Sequence, residues 1–232
     1  MKIEILANAE AVAQAAAHFI ATEARTAVAA RGQFIMAVSG GRTPWQMLRA
    51  LADESVSWPN IHVVQVDERI APDGHPDRCL THLRECLLSR VPLSSGQIHA
   101  MPVEENELEA AASKYSQTLQ QIAGKPAALD LVHLGLGVDG HTASLIPNDP
   151  ILNVTDRDVG LTGIYQQRRR MTLTYPMLNR SRRILWVITG GEKAEMLARL
   201  RAADPAIPGG RIAQTTALVL ADRPAAKKLG SS

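Results

Sequence analysis

Short apolar runs alternate along the chain with longer stretches whose apolar positions recur at helical spacing. An alanine-rich stretch over 9–30 predicts a first helix, and FIMAV at 34–38 a buried strand. A helix is expected to open at Pro44 with Thr43 as its cap, because proline suits the first helical position. Further strands are expected at 61–66, 129–134, 171–175, 184–189 and 217–221. Helices are expected from a cap at Asp77 to about Ser89, over 106–122, and over 192–202. This alternation predicts an α/β fold, a mainly parallel open sheet with helices on both faces, and one domain over 1–232.

Composition narrows the classes. A chain of 232 residues with 46% hydrophobic content buries a substantial core, and a net charge of +2 gives no field for nucleic acid or an anionic membrane. No apolar run reaches the roughly 18 residues of a spanning helix, and MKIEILANAE lacks the apolar core of a signal peptide, so the expected location is the cytoplasm. Cys79 and Cys86 are seven apart in an expected helix, too far for a bridge at 1.5 Å per residue, and read as reduced, buried thiols. No Cys pair or close set of His ligands suggests a metal.

The densest chemistry lies in GLGVDGHTASLIP, 135–147, directly after the strand expected at 129–134. The string contains G-x-G-x-x-G, the fingerprint of dinucleotide binding. Its context argues otherwise. Asp139 stands among the glycines where a pyrophosphate would approach, and Pro147 leaves room for only a short helical turn. Asp139 and His141 instead fall at a strand's carboxyl end, the ligand edge of open α/β sheets. Taken alone, His141 reads equally well as a loop imidazole satisfying a backbone carbonyl.

Other strand ends carry polar clusters too. Ser39-Gly40-Gly41-Arg42-Thr43-Pro44 offers backbone N–H groups, hydroxyls and a helix N-terminus, the parts of a phosphate cradle, although a plain strand-to-helix turn has the same composition. It lacks the lysine of a Walker loop. Asp67, Glu68 and Arg69 open the loop expected after the next strand and fit either an active-site cluster or a local ion-pair group. Arg170 precedes a strand and Lys193 opens a helix, so both can converge on one anion, whereas Arg180, Arg182 and Arg183 read as solvated surface. Few aromatics lie nearby, which argues against single-stranded nucleic acid.

Together these segments resemble the 6-phosphogluconolactonase family, relatives of the glucosamine-6-phosphate deaminases and ribose-5-phosphate isomerases. The resemblance rests on SGGRTP (39–44), VDER (66–69), GLGVDGHTASLIP (135–147), RMTLTYPMLN (170–179) and GGEKAEML (190–197), and spans nearly the whole chain. It implies the sugar-phosphate deaminase/isomerase fold and hydrolysis of 6-phospho-D-glucono-1,5-lactone to 6-phosphogluconate in the oxidative pentose phosphate pathway, without metal or organic cofactor. Deaminases resemble this chain around the histidine but carry a glutamate five residues after it, where this chain has Ile146. They also tend to have an aromatic residue at Arg69. Two places depart from the lactonase pattern: Arg78-Cys79, where a pair ending in Asn is commoner, and Pro208-Gly209-Gly210, where Pro-Ala is usual.

Lactone hydrolysis needs a base to deprotonate water and donors for the carbonyl oxygen as its charge grows. His141 suits the base, since imidazole ordinarily titrates at about 6.5. Asp139 and Asp67 are assigned to holding the imidazole and the sugar hydroxyls, and Arg69 to electrostatic support at the carbonyl. Ser39, Gly40, Gly41, Thr43, Arg170 and Lys193 are assigned to the phosphate. The alternatives are a deaminase or isomerase on a related sugar phosphate, and a non-catalytic sugar-phosphate sensor, since fold does not fix function.

Overall fold

The computed structural model describes residues 1–230. Lys2–Leu6 forms β1, after which the Asn8 side chain accepts the Ala11 N–H and starts α1 (Ala9–Arg31). Gly32 stops α1 in the left-handed conformation, with its N–H on the Val28 carbonyl. The buried face of α1 is mostly alanine, with Ala13, Ala17, Ala21 and Ala24 at helical spacing, so the helix lies close against its neighbours. β2 (Phe34–Val38) follows with every residue buried, as a strand covered on both faces requires.

α2 (Arg42–Ala52), β3 (Ile61–Gln65), β4 (Asp67–Arg69) and α3 (Cys79–Leu83) come next, α3 running on into a π turn, Arg84–Leu88. They are followed by β5 (Ile98–His99), α4 (Leu108–Ala123), β6 (Leu131–Leu134), β7 (Val159–Leu161) and β8 (Arg170–Leu173). The chain closes with α5 (Tyr175–Asn179), β9 (Arg183–Ile188), α6 (Ala194–Arg201), β10 (Ala217–Asp222) and α7 (Arg223–Ala226).

Among the described residues the main sheet has the order β1-β10-β9-β6-β2-β3-β5 and is parallel throughout. α1, α2 and α3 pack on one apolar cluster, with Phe34, Met36 and Leu131 of the sheet. α4, α6 and α7 pack on the other, with Val64, Val132 and Trp186. β2 and β6 are neighbours, yet β2 leads on to β3 on one side and β6 to β9 on the other. The carboxyl ends of β2 and β6 therefore flank a topological switch point, the usual site of a crevice in such sheets.

Several expectations are corrected. Arg170–Leu173 is a strand, but it joins a second, antiparallel sheet of order β4-β8-β7, and Tyr175 already belongs to α5. Asp67, Glu68 and Arg69 form a strand of that sheet, not a loop. Thr43 is not the cap of α2: Gly41 occupies that position at φ 140, without a side-chain cap, and Thr43 lies inside the first turn. Asp77 does not cap α3. The cap position is Arg78, and the first N–H groups of that helix, at Cys79 and Leu80, donate to the Glu68 carboxylate at 2.8 Å each. Arg180 and Arg183 are not free surface either, since Arg180 pairs with Asp158 and Arg183 with Glu23.

Candidate active site

The loop after β6 carries the carboxylate and imidazole on one tight turn. Gly137 N–H donates to the His141 carbonyl at 2.8 Å, and Gly140 N–H to the Gly137 carbonyl at 3.1 Å. With His141 and Asp139 in place there is room only for glycine at 137: a Cβ there would lie 2.1 Å from His141 Nδ1 and 2.5 Å from Asp139 Oδ1. Pro208-Gly209-Gly210 packs beneath, and Gly209 N–H donates to the Gly140 carbonyl at 2.9 Å. A Cβ on Gly209 would lie 2.9 Å from Leu136 Cδ1 and one on Gly210 1.9 Å from the Asp204 carbonyl oxygen, so this segment, one of the two departures from the lactonase pattern, is packed around its glycines. No full helix follows the glycines; the next helical turn is a 3-10 turn at Pro150–Asn153, so the flanking a dinucleotide site needs is missing.

Asp139 Oδ1 lies 2.6 Å from His141 Nδ1 and accepts the His141 backbone N–H at 3.1 Å. Burial pushes the Asp139 carboxyl up, but the His141 N–H groups and charge and the Tyr165 hydroxyl outweigh it and hold the group below its ordinary range. An ionised Asp139 accepts a hydrogen bond from Nδ1–H, which leaves Nε2 with a lone pair. His141 lines a cavity of about 620 Å³.

Asp67 and Arg69 reach the same cavity from β4. Asp67 is buried and accepts the Ser144 hydroxyl at 2.6 Å. Arg69 faces Arg170 across the β4–β8 ladder. Burial, and then the Arg69 charge, disfavour the protonated form of Arg170, whose Nε has no protein partner among the described residues. Arg69 Nη1 donates to the Asp77 carbonyl at 3.3 Å and to Cys79 Sγ at 3.2 Å. Burial pushes the Cys79 thiol far above its ordinary range, so it is a packing group and not a nucleophile. Arg78, the other departure from the lactonase pattern, is buried with its Nε 3.1 Å from the fully buried Glu68, and its Nη1 donates to the Ala71 carbonyl at 2.8 Å. Glu68 also accepts the Arg69 N–H at 2.8 Å, which makes it the hub between β4 and α3.

Ser39, Gly40, Gly41, Arg42 and Thr43 line the cavity from β2 and α2, and Thr189, Gly190 and Lys193 from the loop after β9. The two loops touch through the Thr43 and Thr189 hydroxyls, 2.7 Å apart. Asp222, at the end of β10, accepts the Gly190 N–H at 3.1 Å and holds the second loop. Ser39 is buried with an unpartnered Oγ, and its N–H donates to His133 Nδ1 at 3.3 Å. This half of the cavity offers hydroxyls, a helix N-terminus and an ammonium, the donors an anion takes.

All ten residues proposed from the sequence line this one cavity except Asp139, which stands behind His141. Sequence reasoning missed Tyr165, His133, Ser144 and Thr189. Ser144 was visible inside TASLIP; the others carry no local signal. Among the described residues no three His, Cys, Asp or Glu side chains are grouped to hold a metal ion.

The model of the family described as glucosamine-6-phosphate isomerases/6-phosphogluconolactonase matches residues 7–220. The chain belongs to that family. A 6-phosphogluconolactonase of Synechocystis sp. is 37% identical over 210 residues, covering 88% of this chain and 87% of that protein. The crystal structure of 6-phosphogluconolactonase from Thermotoga maritima aligns with a TM-score of 0.85 at 26% identity, over 95% of this chain and 98% of that one. A monomeric glucosamine-6-phosphate deaminase gives the same TM-score, 0.85, at 20% identity over 98% and 100% of the two chains. The fold is thus common to both branches of the glucosamine-6-phosphate isomerase/6-phosphogluconolactonase family, and the side chains must choose between them.

Proposed function

We propose that this chain hydrolyses 6-phospho-D-glucono-1,5-lactone to 6-phospho-D-gluconate, the lactonase step of the pentose phosphate pathway, in the cytoplasm and as a single domain. The observation that carries the reading is the His141–Asp139 pair at 2.6 Å, with Nε2 free at a cavity whose far wall is built of anion donors.

His141 Nε2 takes a proton from water as the oxygen attacks the ring carbonyl carbon. Asp139 holds the imidazole and balances the charge it gains. Negative charge moves onto the carbonyl oxygen, where Arg69 opposes it. The tetrahedral intermediate then collapses, the ring C–O bond breaks, and the imidazolium returns its proton to the leaving hydroxyl. Asp67, tied to Ser144, orients sugar hydroxyls. Ser39, Gly40, Gly41, Thr43 and Lys193 hold the phosphate, and Arg170 adds a second cation to neutralise the dianion. Binding the phosphate away from the reacting carbon puts remote binding energy into orienting the lactone.

Lactone hydrolysis is favoured over deamination by Ile146, an apolar buried side chain at the place where the deaminases carry their glutamate. The test is a side-by-side assay of the purified protein on the phosphorylated lactone, on glucosamine 6-phosphate, and on unphosphorylated gluconolactone. Rapid turnover of the first alone is expected. Release of ammonia from glucosamine 6-phosphate would transfer the chain to the deaminase reading, and no turnover of any of the three to the sensor reading.

A further inference from the structure

The hairpin between β7 and β8 ends in Tyr165-Gln166-Gln167-Arg168. Tyr165 and Arg168 form an isolated antiparallel bridge, their N–H groups donating to each other's carbonyls at 2.9 and 3.2 Å. Gln166 and Gln167 between them both have positive φ, 50 and 66, the combination of a two-residue primed turn normally built from Asn and Gly. Side chains there are strained, so the surroundings must hold the turn. They do so at both flanks. Arg170 Nη2 donates to Gln166 Oε1 at 3.1 Å, and Arg168 Nε donates to Asp77 Oδ2 at 3.1 Å.

The result is a tyrosine aimed into the site. Its hydroxyl donates to Asp139 Oδ2 at 3.1 Å, its ring meets His141 edge-on at 5.6 Å between centroids, and the Arg170 guanidinium lies over that ring at 5.0 Å. The mechanism above uses none of these contacts. We infer that Tyr165 is a positioning residue that fixes the Asp139 carboxylate behind His141 and seats Arg170 beside it.

Asp139 gives Oδ1 to His141 and Oδ2 to Tyr165, so both ends of the carboxylate are tied and its plane cannot turn. The imidazole follows the carboxylate. Burial, then the Asp139 charge, push the Tyr165 phenol up, so it remains a donor at neutral pH. The ring meanwhile holds, through a cation–π contact, a buried guanidinium that pairs with no carboxylate among the described residues.

This inference rests on His141 being the base, and the experiment separates the two claims. In Tyr165→Phe the ring stays and one donor is lost. Turnover should fall about 10- to 150-fold, as loss of a hydrogen bond to a charged group implies, with KM within about twofold. The freed carboxylate should hold a proton on the imidazole more strongly, moving the acid limb of the kcat/KM profile to higher pH; Asp139, His141 and Arg170 are the ionisable groups facing the phenol. Tyr165→Leu, which also removes the ring under Arg170, should in addition raise KM several-fold. In an Asp139→Asn background, Tyr165→Phe should change turnover by less than about twofold. Wild-type turnover and pH profile in Tyr165→Phe, or an undiminished effect in the Asp139→Asn background, would overturn the inference. If His141→Asn is inactive while Tyr165→Phe is unchanged, the tyrosine alone is refuted. If His141→Asn is active, the base assignment and this inference both fall.

Discussion

Arg69 and Arg170 stand opposite each other in the antiparallel β4–β8 ladder, two guanidiniums on one wall of the cavity. Like charges directly opposed across strands are destabilising, and an anion bound beside them would relieve the repulsion. Arg170→Ala should therefore weaken 6-phosphogluconate binding by about 1.5–3 kcal/mol, the ordinary worth of a hydrogen bond to a charged group. Titration calorimetry of the wild type and the variant measures this. Equal affinities would remove Arg170 from the anion site.

His133 predicts a pH effect on stability. It is fully buried on β6, and desolvation lowers its pKa from 6.5 to about 3. The unfolded chain protonates this imidazole below about 6.5 while the folded chain does not, so the unfolded state binds the extra proton. The contribution to stability is complete above that pH and is lost progressively as pH falls toward 3. Denaturant unfolding between pH 7 and 4.5 should show a shallower pH slope in His133→Gln than in the wild type. Calorimetry of 6-phosphogluconate binding by the variant checks separately that the cradle next to Ser39 survives the loss of its Nδ1 acceptor. Identical slopes would place the acid sensitivity elsewhere.

Gly137→Ala tests the turn itself. The added methyl would overlap the His141 ring, and the imidazole must leave its position to admit it. Misplacing a catalytic group by about an ångström can cost around 10²-fold in rate. Activity should fall by about that factor while product binding, measured by calorimetry, stays within a few-fold. Retained activity would mean that the base does not depend on this turn.

The residues that hold the site were legible where the signal was local. Asp139 and His141 stand together in a glycine-rich string after an apolar run, and Ser39 to Thr43 in another, so motif and strand end coincide. What stayed hidden depends on partners far away in sequence. Asp67-Glu68-Arg69 is polar throughout and reads as a loop; it becomes a strand only through pairing with Arg170, Met171 and Thr172. Asp77 has the side chain of a helix cap, yet Glu68 reaches the free N–H groups of α3 from another element. Tyr165 lies between two apolar stretches and turns inward only because Gln166 and Gln167 adopt a turn that their sequence does not announce. Strands β1, β5 and β7 were missed for a related reason: each is short, and none has a fully buried run to mark it.

The central claim is that His141 is the base, and His141→Asn tests it most directly. The loop keeps its glycines and the anion cradle lies on other elements, so the variant should fold and bind 6-phosphogluconate with near wild-type affinity. Once spontaneous lactone hydrolysis is subtracted, its turnover should be about 10²- to 10⁴-fold below wild type. A folded variant that binds product normally and hydrolyses the lactone at the wild-type rate would contradict the account and make Asp67 the next candidate for the base.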